Sequence, residues 1–167
     1  MDPQAVFDNF RRTVTDHYFD MNGRVGLAQF WYFMLAGAVI AILAGILSTV
    51  LFFFIPIGQL SALALLLPVA GMGARRLQDT GRDGKLVWVF IIPLTIIALF
   101  GLLMWGPLGV FAFLAFYVTI GWLLHVIAVI AMIVLIYFWI QPGNPGDNQY
   151  GPPPPVFDPS KSVSPAS

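Results

Sequence analysis

Few residues in this chain have the type and setting to do chemistry. His125 lies deep in the apolar run from Leu108 to Ile140, and an ionisable group at membrane depth is a functional candidate by default. A metal site around it would need more histidines or carboxylates, and the second histidine, His17, precedes the first apolar run with no ligand-like spacing to it. A hydrolase would need a nucleophile beside the imidazole. Ser48 and Ser61 are available, but neither sits in a nucleophile motif. The plainer reading of His125 is a helix-packing hydrogen bond to a hydroxyl or carbonyl. The chain has no Gly-rich phosphate loop, no HExxH, no paired carboxylates within an apolar run and no cysteine. We therefore expect no enzymatic activity, metal or cofactor, and coupling of transport to a buried acid is weakly supported.

The polar chemistry gathers elsewhere, in Arg24, Arg75, Arg76, Arg82 and Lys85. At the headgroup level each basic residue near an anionic surface contributes on the order of 1 kcal/mol, so the group could bind acidic lipid. It could equally fix topology and snorkel, since Asp79 and Asp83 stand among the cations. The reading we favour for the motif is structural: Asp79 pairs with Arg76 or Arg24 and holds the loop shut over the helix ends, with Gly81 permitting the turn. Arg75 and Arg76 would then anchor the end of a short span at the interface.

Elements that can position these residues follow from composition. With 59% hydrophobic and 10% charged residues, the chain is unsuited to a water-soluble globule. Its formal charge of zero removes support for nucleic-acid binding. The expected fold is an all-α integral membrane protein, a bundle of about four transmembrane helices with an N-terminal amphipathic interfacial helix. Residues 1–26 supply that helix and a Gly-Arg turn: Asp2 and Pro3 read as N-cap and first position, and Phe7, Phe10, Val14 and Tyr18 recur near helical spacing. The same stripe would suit a helix lying across the end of the bundle. Nothing before Leu27 resembles a secretory signal. Spans are expected at about residues 28–55, 57–75, 86–105 and 117–140, with a kink at Pro68, a polar loop over 75–85 and an interfacial lead-in over 108–117. Gly37, Ala41, Gly45 and Thr49 form a smooth strip on the first span, for packing inside the bundle or a dimer seam. From 141 to 167 the Pro/Gly/Ser-rich tail is expected to be disordered. Arg11, Arg12 and Arg24 precede the first span and four basic residues follow the second, whereas the turns around Pro56–Gln59 and Gly106–Pro107 carry no charge. Both termini and the charged loop are therefore expected in the cytoplasm.

Three patches resemble the bacterial inner-membrane family called domain of unknown function 805: Phe19, Gly23 and Arg24 with Phe30 and Trp31; Arg75, Arg76, Leu77, Asp79, Thr80, Gly81 and Arg82; and Gly146, Asn148, Tyr150, Gly151 and Pro154. Where that family usually has a histidine after the leucine, this chain has Gln78, so no proton or metal role carries over. Its usual serine and tryptophan appear as Asp83 and Lys85, the basic residues it often carries before Phe-Trp are absent, and residues 86–105 look like an insertion relative to three-span members. The resemblance implies a bacterial inner-membrane address and no established activity. All three patches fall on one predicted side, which suggests a face that docks membrane lipids, anionic ones included, a protein partner or a second copy. The alternatives are a small transporter or channel subunit, from Pro68, Pro93 and His125, and then a membrane-embedded enzyme.

Overall fold

The computed structural model describes residues 2–51, 56–104, 109–158 and 160, and its regular elements are all helical. Helix α1 (Pro3–Thr15) begins where Asp2 accepts a hydrogen bond from the Gln4 amide at 2.9 Å and Pro3 occupies the first turn. Helices α2 (Leu27–Val50), α3 (Ile57–Asp79), α4 (Trp88–Leu103, entered through a 3-10 turn over Gly84–Val87), α5 (Gly109–Phe116) and α6 (Trp122–Trp139) follow. A π-helical turn over Tyr117–Gly121 joins α5 to α6 in one continuous rod. Four segments are long and apolar enough to cross a membrane: Leu27–Thr49, Ile57–Asp79, Gly84–Leu103 and Gly109–Trp139. The protein is a membrane protein, and large side chains such as Ile42, Leu43, Ile46, Val129 and Ile133 stay exposed because lipid, not water, is their solvent.

Three boundaries differ from expectation for identifiable reasons. Residues 75–79, expected in the loop, are the last turn of α3, which with them is 23 residues or about 35 Å long, enough to cross. The lead-in before the last span is helical and continuous with it, since no proline or exposed glycine interrupts residues 109–121 and the π turn absorbs the mismatch. The turn expected at Pro56–Gln59 is shorter, Pro56 being the cap and Ile57 already helical. The expected ends of the first and third spans, 52–55 and Trp105, and the turn at Gly106–Pro107 lie outside the described residues.

Helix α3 is central, packing on α2 and α4, while α4 packs on α6. Buried side chains concentrate at one end of the bundle, where Val25, Phe30, Phe33, Met72, Leu77, Val87 and Trp139 interlock. Helix α1 closes that end. It buries Ala5, Asn9 and Thr13, with Asn9 Nδ2 donating to the Gln29 carbonyl at 3.0 Å and Phe10 stacked on Phe33 at 5.5 Å. The alternative of a helix lying across the bundle's end thus describes its covered face, while Phe7 on the other side is exposed. On α2 the small-residue strip is not used inside the bundle: Gly37 meets only Phe10, Gly45 meets nothing within 4 Å, and Ala41 is exposed.

Candidate functional site

The second patch is a helix end. Leu77 and Gln78 offer their carbonyls to Arg82 and Gly81, both at 3.0 Å, which is the two-bond pattern of a Schellman cap. It needs a left-handed residue just past the cap, and Gly81 supplies it at φ +78°. This places Asp79 as the final residue of α3, where the negative end of the helix dipole disfavours a carboxylate. Two guanidiniums compensate. Arg24 Nε and Nη2 both lie 3.0 Å from Asp79 Oδ1, and Arg76 Nη1 grips Oδ2 from one turn back. All three side chains are sealed, at 1% exposed for Arg24, 0% for Arg76 and 4% for Asp79.

The remaining donors of that pair reach the chain that leaves α6. Arg24 donates from Nη1 to the carbonyls of Gly146 at 2.8 Å and Gly151 at 3.1 Å, and from Nη2 to that of Asn144. Arg76 donates from Nε to the Trp139 carbonyl at 3.0 Å and from Nη2 to that of Gln141. The amide of Asn144 answers by donating to the Asp79 carbonyl at 2.8 Å. Asn148 closes the loop: its Nδ2 donates to the Gln78 carbonyl at 2.9 Å, its Oδ1 accepts from the Tyr150 amide at 2.8 Å, and its backbone pairs with Gly151. Five carbonyls at the end of α6 and along the chain beyond it, those of Trp139, Gln141, Asn144, Gly146 and Gly151, are thus bound to two side chains. The tail expected to be disordered is, over residues 144–151, tied to the ends of α2 and α3.

The other sequence candidates fall around this knot. Gly23 turns the chain ahead of Arg24 with φ +87°. Phe30 is fully buried between Trp31 and Trp139, with ring centroids 5.3 and 4.9 Å away. Arg82 lies over the Phe138 ring at 4.3 Å, a cation–π contact. Arg75 stays apart from the knot. Its Nη2 sits 3.1 Å from Met72 Sδ, its Nη1 is 3.9 Å from Asp20, and its Nε has no hydrogen-bond partner among the described residues. Lys85 is exposed. His125 lies far from the site along α6, with Nδ1 3.2 Å from the Gly121 carbonyl of its own helix and its ring edge on Tyr117. That is a hydrogen bond to a carbonyl, within one helix and not between two. Among the described residues no cluster of His, Cys, Asp or Glu could hold a metal.

Sequence reasoning missed Gly143, Asn144 and the structural part of Trp139. A Cβ on Gly143 would collide with the Asp79 carboxylate, so only glycine lets the tail pass over it. Trp139 donates from Nε1 to the Gly73 carbonyl at 3.1 Å, tying α6 to α3 just below the knot. For Trp139 a signal existed, an aromatic residue at the end of a span; for the backbone carbonyls of the tail there was none, because every residue has one.

No solved structure matches this chain. The chain is similar to the inner membrane protein YhaI of Escherichia coli strain K12, 27% identical over 143 residues that cover 85% of this chain and 92% of that protein. It is also similar to the inner membrane protein YhaH of the same strain, 25% identical over 146 residues, covering 84% and 92%. The model of the family described as "Protein of unknown function (DUF805)" matches residues 18–152, from just before the Gly-Arg turn to just past the Asn148–Gly151 turn, and the chain belongs to that family.

Proposed function

We propose that this protein is a non-enzymatic component of a bacterial inner membrane whose knotted end faces the cytoplasm and presents the pinned tail as a rigid platform for a protein partner. The observation that carries this reading is the commitment of every guanidinium nitrogen of Arg24 and Arg76 to Asp79 and tail carbonyls. Those two cations are spent on holding the tail and are not free to grip a lipid phosphate. The charges still exposed at that end are of both signs, Arg11, Arg12 and Lys85 against Asp16, Asp83 and Asp147, which favours a protein over an anionic membrane surface. Beyond Gly151 the tail keeps a three-residue rhythm: Pro154 lies over Gly26 and Phe157 against Tyr32 at 5.8 Å, while Pro152, Pro153, Pro155 and Val156 are exposed, Val156 by 96%. Three residues per turn is the period of a polyproline helix, whose ridge suits an aromatic-lined groove. The names of YhaI and YhaH support the inner-membrane address, and the basic residues flanking this end support the cytoplasmic orientation.

The test compares proteins and lipids that co-purify with the wild type, with Pro153→Asp/Val156→Asp at the platform's edge, and with Arg24→Ala beneath it, at equal membrane abundance. Both variants should lose the same partner. An unchanged protein profile in both would overturn the reading, and a change confined to acidic lipid would transfer the docking role to headgroups. Labelling of single cysteines at Ser160 and Lys85 from each side checks orientation. A transporter reading gains little from the three residues that motivated it: Pro68 and Pro93 are buried at helix contacts and His125 is engaged with its own helix.

A further inference from the structure

A second site lies at the opposite end of the bundle. A cleft of about 500 Å³ opens between α2, α3, α4 and α5, lined by Ser48, Gln59, Ala62, Leu66, Ala98 and Phe113 among others, a size within the roughly 300–1,000 Å³ of small-molecule pockets. Its depth follows from the chain. Gln59 and Asp79 stand on one helix and are separated by 20 residues, or about 30 Å at 1.5 Å per residue, which equals the hydrocarbon thickness of a bilayer. With the Arg–Asp knot at one headgroup level, Gln59 stands at the other, and the cleft runs from it into the hydrocarbon.

The polar groups of the cleft are unequal. Ser48 Oγ accepts from the Gly58 amide at 2.6 Å, closing one wall, and Thr49 Oγ1 donates to the Ile46 carbonyl at 2.7 Å. The half-buried Gln59 amide makes no hydrogen bond among the described residues, its Cγ lying beside Gly101. No charged residue lines the cleft, so a phosphate is not what it recognises. Ala62 and Ala98 keep the apolar part open, and a void there forfeits dispersion contacts that a hydrocarbon chain would supply. We propose that the cleft holds one acyl chain of a membrane phospholipid, with Gln59 donating its amide hydrogen to the ester carbonyl at the head of that chain. The pairing matches a donor with no hydrogen bond among the described residues to an acceptor found at this depth, and places apolar chain on apolar wall.

The experiment is native mass spectrometry of the full chain in detergent, titrated with dioleoyl phosphatidylcholine. The wild type should retain one lipid saturably. Ala62→Phe/Ala98→Phe, which fills the cleft, should weaken that first binding by at least about tenfold. Gln59→Leu should weaken it by roughly three- to tenfold, the loss of one hydrogen bond. Should the filled variant misfold, the ether-linked analogue decides, because without an ester carbonyl it should bind the wild type as weakly as the ester lipid binds Gln59→Leu. Absence of a saturable first lipid, equal retention by wild type and filled variant, equal binding of ester and ether lipids, or a wild-type dimer abolished by filling the cleft would each overturn the proposal, the last by seating a second copy there.

Discussion

Asp79→Asn isolates the charge of the knot while keeping its shape. In the native arrangement one carboxylate faces two guanidiniums, and all three groups are sealed from water. The amide retains one oxygen, so a hydrogen bond to one arginine survives, but the attraction that offsets burying two cations is gone. Breaking a buried pair costs about 3–5 kcal/mol. Relief of the carboxylate from the negative end of α3 returns about 0.3–1 kcal/mol. The net destabilisation should be about 2–4 kcal/mol, read by SDS-driven unfolding in mixed micelles. Because the tail is held by the same groups, hydrogen exchange at the Asn144 amide should accelerate, as its acceptor is the Asp79 backbone carbonyl. Adding Arg24→Gln removes one stranded cation, so the double variant should be less destabilised than the sum of the singles by at least ~1 kcal/mol. A single variant within ~0.5 kcal/mol of the wild type with Asn144 still protected would refute the argument that charge compensation, and not packing alone, closes this end.

Arg76→Lys should insert normally yet unfold earlier by about 1–3 kcal/mol, because one ammonium cannot reach Asp79 and the carbonyls of Trp139 and Gln141 together; unfolding indistinguishable from wild type would reduce this arginine to a topology signal. Gly143→Ala should release the tail to limited proteolysis while the spans stay folded, since the added methyl runs into the Asp79 carboxylate over which the tail passes. Gly81→Ala forces a side chain to φ +78° and should cost about 1–2 kcal/mol in the same unfolding assay. Trp139→Phe removes the donor to the Gly73 carbonyl and should cost about 0.5–1.5 kcal/mol beyond any change in packing, a difference from Trp139→Leu that the same titration resolves.

The pairing of Asp79 was legible before any coordinates, because an acid among basic residues at a span end has few other partners; the alternatives Arg24 and Arg76 both proved right, since a carboxylate has two oxygens. The covering of α1 was less legible. Of the stripe read as its sticky face, Phe10 and Val14 do pack on the core while Phe7 is exposed, and Ala5, Asn9 and Thr13 complete the seat, small enough to let the helix approach and polar enough to bond to α2. The strip on α2 was legible as a choice and not as an answer: small residues permit close packing without supplying a partner, and within the bundle Ala41 and Gly45 remain exposed.

What the sequence determined by itself was the medium and the elements. Uncharged runs of 20 or more residues can only be helices in lipid, because an unpaired backbone group there costs several kcal/mol, and Pro56 and Gly81 mark where one such helix begins and ends. What only the tertiary structure decided was how the charged end is neutralised. The donors of Arg24 and Arg76 are satisfied by backbone carbonyls far along the chain, 120 residues on for Arg24 and 63 for Arg76, and a carbonyl carries no sequence label. The tail's composition offers no core of its own; residues 144–151 are held because two buried guanidiniums need more acceptors than one aspartate provides.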